Sequence, residues 1–169
     1  MKNVSPILVA ELPPYLWVRV AGKGTFQNAA DLKQFASQTI ESGRTQFVID
    51  LGECPMMDST FMGTLTGIAL KLREKGDAAK MTVVNANERN AQLLENLGLT
   101  MIFDVERGCG KFSAEMGQVD ELLAATERQE STSSDVLEAH ETLSGISDEN
   151  RAKFKDVVEF LRAENGGDA

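Results

Sequence analysis

A chain of 169 residues with 42% hydrophobic and 25% charged side chains carries enough apolar material for one domain with a modest addition. The net charge is −9, and all of it falls on residues 113–169, since residues 1–112 are balanced; neither part supplies the basic stripe that nucleic acid requires, which excludes that partner. No apolar run spans a bilayer, no signal peptide is visible, and Cys54 and Cys109 are too few for a disulfide scaffold, so a reduced cytoplasmic protein with no membrane partner is expected.

Residues 6–10 read as a short edge strand, ended by Pro13-Pro14 in an extended bend. Leu16 to Val20 is a second strand, followed by the loop Gly22-Lys23-Gly24-Thr25. That loop lacks the third glycine and the apolar helix start of a dinucleotide fingerprint, so a tight turn is expected there. Asn28 to Ser42 reads as a helix with Leu32, Phe35, Ala36 and Ile40 on one face and Gly43 beyond its end.

The stretch from Thr45 to Gly76 organises the rest. Phe47-Val48-Ile49-Asp50-Leu51 has the length and β-branched content of a strand buried on both faces. A loop with Gly52 and Pro55 leads to Asp58-Ser59-Thr60, residues that cap helices by accepting from free N–H groups. Leu65, Ile68, Ala69 and Leu72 then recur at helical spacing, and Gly76 stands where the helix stops. The first turn of a helix bears partial positive charge and free donors, so a phosphate on Ser59 would be stabilised there. From the residues alone two readings stand: a capping triplet, or a capping triplet that also accepts a phosphoryl group.

Met81 to Val84 reads as another buried strand. Glu88 to Asn96 reads as a helix with Ala91, Leu94 and Leu97 inward and Gly98 closing it, and Met101-Ile102-Phe103 as a final strand. The order β-β-α-β-α-β-α-β predicts an α/β fold, a mixed sheet with helices packed on it.

Ser113 to Gln129 carries Met116, Val119, Leu122 and Leu123 at helical spacing and is expected to be the last helix of the domain. Glu130 to Ser134 is a polar linker. Val136, His140 and Leu143 line one side of a short helix, and Ser147 caps a longer one with Phe154, Val157, Val158 and Leu161 on a stripe. Short helices are marginal alone in water, so these stripes need cover: from the domain, from each other, or from a second subunit in a homo-oligomer. The terminal Gly166 to Ala169 is expected to be loose.

The run Phe47-Val48-Ile49-Asp50-Leu51, then Met57-Asp58-Ser59-Thr60, then Met62-Gly63 resembles the STAS family of anti-sigma factor antagonist domains. The resemblance covers about residues 7–112 and implies a STAS-like domain over 1–112 with an acidic helical extension over 113–169. It implies that Ser59 is the phosphoacceptor, with Thr60 the alternative, and that Asp58, Ser59, Thr60, Phe61, Met62, Gly24 and Thr25 form the partner surface. Phe61 stands where the family usually has Gly, a large side chain expected to bear on which partner docks. The implied partners are an anti-sigma factor that is also a serine kinase, and a serine phosphatase. A non-switching scaffold, with Ser59 only a cap and the helical tail as binder, is the alternative.

Nothing in the sequence supports an enzyme or a cofactor. His140, the lone histidine, lies among Glu138 and Glu141 and reads as structural or solvated. Asp50, Glu53 and Asp58 are accounted for without a metal. Cys54 and Cys109 lack C-x-x-C spacing, and buried or idle thiols are expected.

Overall fold

The computed structural model describes residues 6–119, 122–124 and 129–166. Strand β1 (Ile7–Leu12) turns at Pro13-Pro14 into β2 (Tyr15–Val20). Helix α1 (Phe26–Glu41), β3 (Gln46–Asp50), α2 (Ser59–Arg73), β4 (Lys80–Val84), α3 (Glu88–Asn96) and β5 (Asp104–Val105) follow. The chain then forms a short helix α4 (Ser113–Met116), a two-residue strand β6 (Leu123–Ala124), and two longer helices, α5 (Ser133–Ser144) and α6 (Asp148–Gly166).

The strands make one mixed sheet in the order β5-β4-β3-β2-β1-β6. β2, β3, β4 and β5 run parallel, joined by helical crossovers, while β1 is antiparallel to both β2 and β6. Alternation along each strand sends side chains to opposite faces. Leu16, Val18, Phe47, Ile49, Met81 and Val83 pack into the large core beneath the helices. Trp17, Val48 and Val84 point the other way, where Phe112 covers them and Met116, Val119 and Leu122 pack alongside. The ring of Phe112 meets Trp17 edge-on, with centroids 6.3 Å apart.

The expected helix faces are the buried ones. Leu65, Ile68, Ala69 and Leu72 of α2 are at most 4% exposed. Gly76 (φ +117°) and Gly98 (φ +75°) adopt left-handed conformations that a side chain would strain, which stops the helices before them.

Three expectations are corrected. Met101-Ile102-Phe103 is not a strand: a 3₁₀ turn spans Leu99–Met101, and the pairing residues are Asp104 and Val105. The chain leaves α3 through left-handed Gly98 with Leu99 fully buried, and straightens only after that turn. The helix expected over 113–129 holds only for Ser113–Met116; Leu123 and Ala124 instead pair with Val9 and Leu8, and residues 120–121 and 125–128 lie outside the described residues. In consequence β1 is not the edge strand along Leu8 and Val9. Gly166 closes α6, and Gly167 to Ala169, expected to be loose, lie outside the described residues.

The apolar stripes of α5 and α6 find cover within this chain. Leu143, Phe154 and Val158 join the main core, and α5 packs along α2. Asn150 donates to the carbonyls of Leu97 and Leu143 at 2.9 and 3.0 Å, pinning the start of α6 to the end of α3.

Candidate functional site

Two loops leave the carboxyl ends of the adjacent parallel strands β2 and β3, the end where open α/β sheets carry ligands and partners. They are fastened to each other by backbone. Gly22 N–H donates to Glu53 O at 3.0 Å, Gly24 N–H to Met56 O at 2.9 Å, and Asp58 N–H to Gly24 O at 2.8 Å. Residues Gly24 and Met57 form an isolated parallel bridge. The Gly22–Thr25 turn therefore lies directly beside the start of α2.

Asp58 serves two helices at once. Its Oδ1 accepts from Phe61 N–H at 2.8 Å as the N-cap of α2, and its Oδ2 accepts from Phe26 N–H at 2.8 Å in the first turn of α1. Thr25 caps α1 as well, its Oγ1 accepting from Gln27 N–H at 3.2 Å while Asn28 returns a bond to the Thr25 N–H. Two helix starts, each bearing partial positive charge, thus converge on one carboxylate.

Ser59 is the first residue of α2 and is half-buried. Its Oγ lies 2.8 Å from Nε2 of His140, which reaches it from α5. The other ring nitrogen, Nδ1, is 2.8 Å from the carbonyl of Val136, which can only accept. Nδ1 therefore carries the hydrogen, and in the neutral ring Nε2 accepts the hydroxyl proton of Ser59. His140 is 5% exposed and stands edge-on to Phe154, with ring centroids 5.4 Å apart.

The other expected surface residues divide. Asp58 and Thr25 are half-buried, and Gly24 is buried within the loop contact. Thr60, Phe61 and Met62 are 5%, 0% and 4% exposed. Phe61, expected to bear on which partner docks, is buried on the first turn of α2 with its ring against Gly24, so any such influence is exerted through the packing of the Gly22–Thr25 loop. Sequence reasoning missed two residues. Phe26 is 49% exposed beside Asp58, and its exposure could not be read from an apolar residue at a helix start. His140 interrupts an apolar face, which was a signal that it is buried; its partner, 81 residues away, was not readable.

Asp50 lies just below these loops and is fully buried. It accepts from Trp17 Nε1 at 3.1 Å, Arg19 Nε at 3.0 Å, Gly52 N–H at 2.9 Å and Asn85 Nδ2 at 3.0 Å. Burial pushes its pKa upward, but the bonds from Asn85, Gly52, Trp17 and Arg19 outweigh burial and hold it below the ordinary carboxylate value. Glu53 pairs with Arg19 at 3.5 Å on the surface, sharing that guanidinium with Asp50, while Asp58 is taken up by the two helix starts. Cys54 and Cys109 are free thiols, and burial raises the pKa of Cys54. Among the described residues no group of three or more His, Cys, Asp or Glu side chains is arranged to hold a metal ion, and no helix is long and apolar enough to cross a membrane.

The STAS domain family model matches residues 7–112 of this chain. No curated protein matches it in sequence. Among solved structures, it is similar to TM1081 of Thermotoga maritima, described as a candidate anti-sigma factor antagonist, with a TM-score of 0.56, 16% identity, and coverage of 67% of this chain and 93% of that one. It is also similar to the anti-sigma factor antagonist SpoIIAA, unphosphorylated, with a TM-score of 0.53, 13% identity, and coverage of 68% of this chain and 99% of that one. Phosphorylated SpoIIAA of Bacillus gives a TM-score of 0.52 at 15% identity, covering 67% of this chain and 98% of that one. At these identities the structural likeness is one of fold.

Proposed function

The chain belongs to the STAS domain family, and from that premise we propose that it is a partner-switching protein of the anti-sigma factor antagonist kind. It acts as a binding module rather than an enzyme, in the cytoplasm, and its switch is reversible phosphorylation of Ser59. The observation that carries this reading is half-buried Ser59 as the first residue of α2, beside a second helix start tied to it through Asp58. Thr60, one residue on, is 5% exposed, which favours Ser59 as the acceptor.

The partners are an anti-sigma factor that is also a serine kinase, and a serine phosphatase. In the forward step Ser59 Oγ attacks the γ-phosphorus of ATP held by the kinase; ADP leaves, and the hydroxyl proton passes to a base of the kinase. In the reverse step water on the phosphatase releases inorganic phosphate and restores the hydroxyl. Phosphate adds about −1.5 to −2 charges at pH 7, which the start of α2 tolerates and a partner lying flat on it does not. A penalty of about 3 kcal/mol lowers affinity more than a hundredfold, enough for a switch. The fold is known in SpoIIAA both with and without phosphate, which supports the reading for this chain.

The test is to incubate the full chain with ATP and the candidate serine kinases of its source and to locate phosphate by peptide mass spectrometry. Phosphate on Ser59 is expected. Its absence from both Ser59 and Thr60 with every such kinase rejects the switch.

A further inference from the structure

Helices α5 and α6 form a hairpin that is knit within itself and seated on the rest through Leu143, Phe154 and Val158 in the main core and Asn150 on the Leu97 carbonyl. Inside the pair, Phe154 packs on His140, Arg162 pairs with Glu141 at 2.9 Å, and Ser133 bonds Asn165 at 3.0 Å. Both helices lie beyond residue 112, where the family match ends.

The seat on α2 is built from small and polar groups. A Cβ added to Gly63 would stand 2.3 Å from the carbonyl oxygen of Ala139 and 2.8 Å from its Cβ, so only glycine permits α5 to come this close. One turn before Gly63, Ser59 is hydrogen-bonded to His140. On the α1 side Lys33 reaches across to Asp135 at 3.2 Å and Glu138 at 2.6 Å, with the lysine side chain 39% exposed. Between these anchors a cleft of about 280 Å³ is left between α1, α2 and α5, lined in part by Ala36, Gly67 and Thr142. A void forfeits the dispersion contacts that a filled interface would have, and surface ion pairs add little. The apolar hold comes from Leu143 of α5, fully buried, together with Phe154 and Val158 of α6.

We propose that the α5–α6 hairpin is a detachable cover over the Ser59 face of α2, seated through Ala139 on Gly63 and His140 on Ser59, and that kinase and partner gain this face only when it lifts. The proposal deepens the reading of Ser59 as the regulated hydroxyl and rests on it for the identity of the excluded partner. Geometry supplies the exclusion. A helix already in backbone contact at Gly63 leaves no room for a second one, and the buried His140 ring, 2.8 Å from Ser59 Oγ, occupies space that an incoming phosphoryl donor would need. The surface is thus a helix-docking face that accepts a small residue opposite Gly63, and its present occupant is this chain's own α5.

Two measurements on the full chain test this. In hydrogen exchange read by mass spectrometry, amides of α5 and α6 should exchange about tenfold or more faster than those of β2, β3 and β4, because the hairpin opens without global unfolding. Lys33→Glu, which sets like charges against Asp135 and Glu138 without altering Ser59 or His140, should speed the hairpin about fivefold further and leave the strands unchanged. In a Ser59→Cys variant the new thiol should react slowly with N-ethylmaleimide. Adding Lys33→Glu should raise that rate by a similar factor, while buried Cys54 stays unlabelled as the control. Hairpin amides exchanging in step with the strands, or a new thiol that labels at the rate of a free one in both backgrounds, would overturn the cover. Those results leave phosphoryl transfer to Ser59 standing, whereas failure of every kinase at Ser59 leaves the exchange rates as they are.

Discussion

Phe61 occupies the space that a side chain on residue 24 would need: a Cβ built on Gly24 would stand 2.7 Å from Phe61 Cδ2 and 2.9 Å from Cγ. The ring is fully buried, and the Gly24 backbone is held on both sides, donating to Met56 and accepting from Asp58. Neither partner can move away cheaply, so the two loops of the candidate site are locked by a ring against a glycine.

Gly24→Ala should therefore cost about 1–3 kcal/mol, the usual range for overpacking a tight site. Urea denaturation measures it. Pairing it with Phe61→Leu, which frees volume at the same point, should give less than the sum of the two single losses, since the residues are in contact.

Asp58→Ala removes the N-cap of α2 and the acceptor for the first turn of α1 together. A single cap is worth about 1 kcal/mol, so the expected loss is about 2 kcal/mol. Asp58→Asn should retain one of the two bonds and fall between Ala and wild type, because an amide offers only one acceptor oxygen. Denaturation midpoints of the three proteins should fall in that order.

Acid stability should report on Asp50. Its folded pKa lies below the ordinary carboxylate value of about 3.9, so the charged form stabilises the fold above that pH. The contribution is lost as pH falls below about 4 through the depressed folded value. Asp50→Asn would set an amide against the donors from Trp17, Arg19 and Asn85, at a cost of about 2–4 kcal/mol near neutral pH. It should also show a shallower fall of stability below pH 4 than wild type, read from urea midpoints at successive pH values.

Charge at residue 59 should control binding without controlling folding. Ser59→Ala and Ser59→Asp are both expected to give the far-ultraviolet circular dichroism of the wild type. The protein retained from lysate by the Ser59→Ala form should bind Ser59→Asp at least about tenfold more weakly by calorimetry, or about 1.4 kcal/mol. Equal affinities would count against regulation at this hydroxyl.

Sequence alone determined the elements whose signals are local. Strands β2, β3 and β4 were readable because their buried apolar runs are continuous, and α1, α2 and α3 because their inward residues recur at helical spacing and end in glycine. Ser59 at a helix start was readable for the same reason, since capping is chemistry between neighbours in the chain. Tertiary structure decided what depends on distant partners. Two-residue β6 has no period to read and exists only because β1 offers an open edge. Phe61 turns inward because Gly24, brought alongside by loop pairing, makes room for its ring. His140 lies against Ser59 because Gly63 lets α5 approach α2 to backbone distance, and no local pattern records which helix a glycine will receive.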